Sequence, residues 1–122
     1  MTLEEILRME AGPELDRLVA KHIMGWKEGQ EILESLSGIG ILGEKALPRY
    51  STDITAAWSV VEKLVNLGWL VNLLSPWKGN ATCHWTCYVE RKGENGWERL
   101  EATGDSAPLA ICRAAMVVEA CR

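Results

Sequence analysis

The sequence predicts an α+β fold: an antiparallel meander of three to four strands with helices packed against it. Three observations carry that expectation. Between residues 69 and 102, apolar and polar residues alternate in three runs separated by turn signals. Runs with helical spacing and good caps stand on either side, near residues 51–67 and 106–121. The links between the strand runs are too short for parallel crossovers, so consecutive strands must pair as hairpins. At 122 residues the chain is sized for one domain with a true core.

The elements follow in order. Thr2 with Glu5 three positions later reads as a capping box, ahead of Ile6, Leu7 and Met9. Gly12-Pro13 interrupts and restarts the helix, with proline at its first position. Leu15, Leu18, Val19, His22 and Ile23 then make one stripe, and Gly25 fits just past the helix end. Residues 27–49 read as a variable insert or loop, with a short helix possible at "EILESLS". "YSTDITAAWSVVEKLVNLG" is the clearest helix. Ser51, Thr52 or Asp53 caps it, Ile54, Ala57, Trp58, Val61, Leu64 and Val65 share a face, and Gly68 closes it. "WLVNLLS", "TCHWTCYVERK" and "WERLEA" are the strands, with turns at "PWKGN" and "GENG". Asp105 or Ser106 caps the last helix, "APLAICRAAMVVEAC".

Charge sets the register of the last hairpin. Keeping apolar residues on one face requires an odd sum of paired residue numbers. A two-residue Asn95-Gly96 turn would oppose Glu90 to Glu101 and Lys92 to Arg99. A four-residue turn gives Glu90–Arg99 and Lys92–Trp97, which replaces like-charge pairs by a favourable one. The second register is expected. One face then carries Trp69, Val71, Leu73, Cys83, Trp85, Cys87, Val89, Leu100 and Ala102, a core face for the last two helices. The other is mixed: Leu70, Asn72, Leu74, Thr82, His84, Thr86, Tyr88, Glu90, Trp97, Arg99 and Glu101.

The bulk numbers exclude several classes. A formal charge of −4 argues against general nucleic-acid binding. No apolar run is long enough for a bilayer, and the acidic, amphipathic "MTLEEILRME" does not read as a signal peptide, so none is expected. Four cysteines without an export signal imply reduced thiols. Six Trp, two Tyr and no Phe supply flat amphipathic surface for a core or a stacking site.

Three motifs invite stronger readings. "SGIGILGEK" contains a literal G-x-G-x-x-G, but a helix precedes it and Pro48 leaves no room for a phosphate-capping helix. "CHWTC" has knuckle-like spacing, but on a strand Cys83 and Cys87 lie about 13 Å apart with His84 on the opposite face. Buried thiols without zinc, and no cofactor, are expected. His22 and His84 are the only histidines, and neither has an evident nucleophile beside it, so no catalytic residue is assigned. The helix–strand–strand–strand–helix order is that of a double-stranded RNA-binding domain. Its usual phosphate-gripping lysines are missing from "GDSAPLAICRA".

"LRMEAGPELDRLVAKHIMGW", "YSTDITAAWSVVEKL" and "SAPLAICRAA", in that order, resemble the phage ABA sandwich domain family of small phage and prophage proteins. The resemblance implies an α/β/α sandwich with helices on both faces of the sheet, the first helices covering the second face. It also implies a phage gene product acting in the cytoplasm of a bacterial host. It brings no catalytic residues.

Three function classes follow. The first is a non-enzymatic binder that sequesters a nucleotide-derived immune signal, as small phage proteins of unrelated folds do. Trp26, Trp77 and Trp97 are candidates to stack on a base, and Arg49, Lys78, Arg91 and Arg99 to meet phosphates. His84 and Tyr88 share the mixed face. The helix start at Tyr50, Ser51, Thr52 and Asp53, like that at Ser106, offers backbone N–H groups to an anion. The second class is a module that blocks a host protein. The third is a nucleotide-cleaving enzyme. The apolar insert around Ile39, Ile41 and Leu42 suggests a homo-oligomer.

Overall fold

The computed structural model describes residues 1–26, 47–77 and 84–121. Helices α1 (Leu3–Arg8) and α2 (Pro13–His22) come first. Helix α3 (Ile54–Asn66) leads into strands β1 (Leu70–Leu74), β2 (Trp85–Gly93) and β3 (Gly96–Gly104), and α4 (Ala107–Ala120) follows. The strands form one antiparallel sheet in the order β1-β2-β3. The α+β class expected from the sequence is the fold observed, with helices flanking the sheet.

Local chemistry explains each boundary. The Thr2 hydroxyl accepts from Glu5 N–H and starts α1. Pro13 opens α2 behind Gly12. The Asp53 carboxylate accepts from Thr55 N–H at α3, and the Ser106 hydroxyl from Leu109 N–H at α4. Gly68, at φ +99°, ends α3: Trp69 N–H reaches Leu64 C=O and Gly68 N–H reaches Val65 C=O. This is a Schellman closure, and buried Trp69 and Leu64 supply the apolar contact that accompanies it.

The hairpin register is the one that charge selects. Glu90 faces Arg99 and Lys92 faces Trp97, with Gly93 and Gly96 closing the turn. Val71 pairs Val89 and Leu73 pairs Cys87 on the inner face. Trp85 is half-buried against the core from that face, and Thr86 points the other way. Cys83 and Thr82 lie outside the described residues, as do the glycine run and the rest of 27–46.

Helix α4 is the centre of the molecule. Eleven of its fourteen residues are buried, from Ala107 to Val118. A helix apolar all round needs cover on every side. Strands β2 and β3 cover one side, and α1, α2 and α3 pack on the others. Among the described residues, helices α1 and α2 therefore take their packing chiefly from α4. The physical reason is that α4 has a second apolar side to bury, through Ile6, Leu15, Val19 and Ile23. Each such fully buried aliphatic side chain stabilises the fold by about 1.5–3 kcal/mol. Arg113 ties the layers together: its guanidinium donates to Met9 C=O and to Thr103 C=O, both at 2.9 Å.

Two helical faces are rotated from the expected ones. In α2 the buried side is Leu15, Asp16, Val19 and Ala20, while His22 is exposed. In α3, Ala57, Val60, Val61 and Leu64 are buried, but Ile54, Trp58 and Val65 face outward. Ala57, Val60 and Val61, with Leu64, take the packed side of α3, and Ile54, Trp58 and Val65 are left outside it.

Candidate functional site

Among the described residues, the mixed sheet face is open. Leu70, Leu74 and Trp97 on it are more than half exposed, Trp97 at 62%. The β-strand alternation that buries Cys87 and Val89 sets Thr86, Tyr88 and Glu90 on this side, beside Trp97, Arg99 and Glu101 of β3. The guanidinium of Arg99 lies 3.9 Å above the Tyr88 ring centroid. Its carboxylate partner is Glu101 at 3.6 Å, although Glu90 stands directly opposite in register. Both members of that ion pair are more than half exposed, so it is weak and readily exchanged.

At the end of the strands, Leu73, Leu74, Ser75, Trp77, His84 and Thr86 line an open pocket of about 360 Å3. Trp77 is 66% exposed there. His84 Nδ1 lies 3.3 Å from the Asp105 carboxylate, which orients the ring at the pocket margin. The structure thus brings Trp77, His84 and Thr86 together, and Tyr88, Arg99 and Trp97 together further along the same face. Leu73, Leu74, Ser75 and Asp105 are not among the site residues expected from the sequence: the alternation puts Leu74 on the mixed face but Leu73 on the core face, and Asp105 reads there only as a helix cap.

The other expected residues lie elsewhere. Arg91 is on the opposite face, its Nε 2.9 Å from Glu98 and its guanidinium 4.4 Å over the Trp69 ring. It does not converge with Arg99. Lys78 lies outside the described residues. Arg49 is exposed, and Tyr50 and Ser51 are buried. Ser51 N–H and Oγ–H both donate to Asp16 Oδ1, at 2.8 and 2.6 Å. Thr52 and Asp53 N–H both donate to Arg49 C=O. The expected anion site at the start of α3 is therefore already satisfied from within. Ser106 likewise accepts from Leu109 and Ala110. Trp26, half-buried, hydrogen-bonds the Tyr50 phenol, which burial and the nearby Cys112 and Asp16 hold protonated above its ordinary range. These residues form an inner framework of the helical side.

The cysteines are equally internal. Cys87 and Cys112 are free and buried, and burial pushes the Cys87 thiol up to about 12. Cys112 is raised by burial first and then by the nearby Asp16 and Cys87. Among the described residues no group of three His, Cys, Asp or Glu side chains is arranged to hold a metal ion. No helix there is long and apolar enough to cross a membrane.

A three-stranded antiparallel sheet with a buried central helix and an open face carrying aromatic and basic residues defines a small α+β domain. The chain belongs to the phage ABA sandwich domain family, whose model matches residues 17–116. Its fold is also similar to that in the crystal structure of a phage protein from Bacillus cereus ATCC 14579. The two share 23% identity over 91% of this chain and 93% of that one, with a TM-score of 0.54. Comparison with curated proteins gives no match.

Proposed function

We propose that this chain is a non-enzymatic binder that sequesters a nucleotide-derived immune signal of the bacterial host. The observation that carries the reading is the strip Tyr88–Arg99–Trp97 on the open sheet face. An exposed indole offers a base a stacking surface worth about 1–3 kcal/mol. Arg99 is held over the Tyr88 ring and can exchange its loose contact with Glu101 for a phosphate, a charge-assisted bond of greater strength. The pocket at Trp77 and His84 gives a second base or ribose a place on the same face. Membership of a phage family supports an action inside an infected cell.

The test is calorimetry of the purified protein against a panel of cyclic dinucleotides and ADP-ribose derivatives. At least one is expected to bind below about 10 μM, roughly −7 kcal/mol, and to be recovered chemically unchanged. Failure of the whole panel removes this reading and puts blockade of a host protein in its place. Turnover of a bound ligand would make the protein an enzyme.

A further inference from the structure

The outward side of α3 and the outer edge of β1 carry an apolar surface that, apart from Leu74 at the pocket margin, the mixed-face site does not use. Ile54, Trp58 and Val65 lie along one side of α3, and Trp58 is 54% exposed. Ile54, Thr55, Trp58, Ser59 and Glu62 border a shallow hollow of about 490 Å3. Helix α3 packs beside β1, whose Leu70 and Leu74 are 56% and 52% exposed. Strand β1 pairs only with β2 among the described residues, so its outer backbone groups face away from the sheet. Edge strands are ordinarily protected by charge, proline or a bulge. Strand β3 has Glu98, Arg99 and Glu101, whereas β1 reads Leu-Val-Asn-Leu-Leu and has none of these devices.

We propose that the β1 edge and the outer side of α3 form the interface of a two-fold homodimer. Strand β1 is nearly palindromic about Asn72. An antiparallel pairing of two copies centred there sets Leu70 against the second copy's Leu74, and Val71 against its Leu73. Asn72 meets its own counterpart on the axis, where two amides satisfy each other. Partners in this register have the same parity, so apolar residues meet apolar residues on both faces. The axis stands perpendicular to the joined sheet and brings the two α3 helices together on one side of it. Trp58 and the hollow beside it then face the second copy's helix. Ile54, Trp58 and Val65 are each about half exposed and lose that exposure against the second helix, while pairing of the β1 edges adds main-chain hydrogen bonds, towards the roughly 1,000 Å2 in total that a specific interface has to clear. The product is a continuous six-stranded sheet with both open faces on the same side.

Light scattering, sedimentation and cross-linking of the full chain test this. The wild type is expected at twice its 13.6 kDa mass at tens of micromolar. Asn72→Cys, with Cys83 and Cys121 replaced by Ser, should form a disulfide dimer under mild oxidation. Directly opposed residues of antiparallel strands lie about 4.5–5.5 Å apart at Cα, within disulfide reach. Glu101→Cys in the same background should not cross-link. Leu70→Lys and Trp58→Glu, each with unchanged far-ultraviolet circular dichroism, should weaken the dimer at least about tenfold. A wild-type monomer at these concentrations overturns the proposal. So does a dimer that survives both substitutions without an Asn72→Cys cross-link.

Discussion

Ser51 and Asp16 lie 35 residues apart and are joined by two hydrogen bonds to a single carboxylate oxygen, with both side chains buried. The Ser51 hydroxyl also accepts from Gly12 N–H at 2.9 Å. The pair fastens the start of α2 to the start of α3. Ser51→Ala leaves the Gly12 donor and one carboxylate lone pair unsatisfied, and is expected to cost about 1–3 kcal/mol. Urea denaturation should show a lower midpoint with an unchanged slope.

Gly104 is placed by close approach rather than by a left-handed backbone. A Cβ there would stand 2.9 Å from Ala110 N and 3.0 Å from Leu109 Cγ, where β3 meets the first turn of α4. Gly104→Ala is expected to lower stability by about 1–3 kcal/mol through overpacking. A thermal melt beside Gly25→Ala, whose Cβ meets nothing, separates crowding from backbone strain.

The buried thiols set an alkaline limit. In the unfolded chain a thiol ionises near its ordinary 9.0, while folded Cys87 holds its proton to about 12. The folded state thus binds more protons between those values. The associated stability is complete below pH 9 and is lost as pH rises towards 12. Chemical denaturation across that range should show the decline, and Cys87→Ala should make it shallower while the part from Cys112 remains. At pH 8 an alkylating reagent should label exposed Cys121 quickly and leave Cys87 and Cys112 untouched until the protein unfolds.

Trp97 and Arg99 are exposed and far from the core, so alanine there should change stability by less than about 0.5 kcal/mol. If the open face is the ligand site, Trp97→Ala should still weaken binding of the tightest nucleotide by about tenfold or more, equivalent to roughly 1.4 kcal/mol. Calorimetry on the folded variant checks both halves. Affinity unchanged in both variants would move the site to the Trp77 pocket.

The features legible in the sequence are those governed by neighbours in sequence or by period. Alternation and the Glu90–Arg99 charge choice gave the hairpin register, and Asp53, Ser106 and Gly68 gave helix ends because capping is local. The rotation of α2 towards Asp16 was hidden, because its partner is a backbone N–H 35 residues away. Trp58 was read as inward because hydrophobicity alone does not distinguish a helix's packed side from a second apolar side. At the candidate site, strand parity placed Tyr88, Trp97 and Arg99 together. It could not reveal that Arg99 rests on Tyr88, nor that Asp16 and Arg49 had already filled the α3 start. Both depend on tertiary packing.

The central position of α4 has a consequence for how the protein is made. Each other layer presents its apolar side to residues 107–118, so a nascent chain on the ribosome has no core to close until that stretch has emerged. Before then the hairpin and the first helices can form only as exposed, amphipathic pieces, open to chaperones and proteases. The molecule is thus built to mature in one late step, and a chain stopped before residue 107 should leave no folded fragment behind.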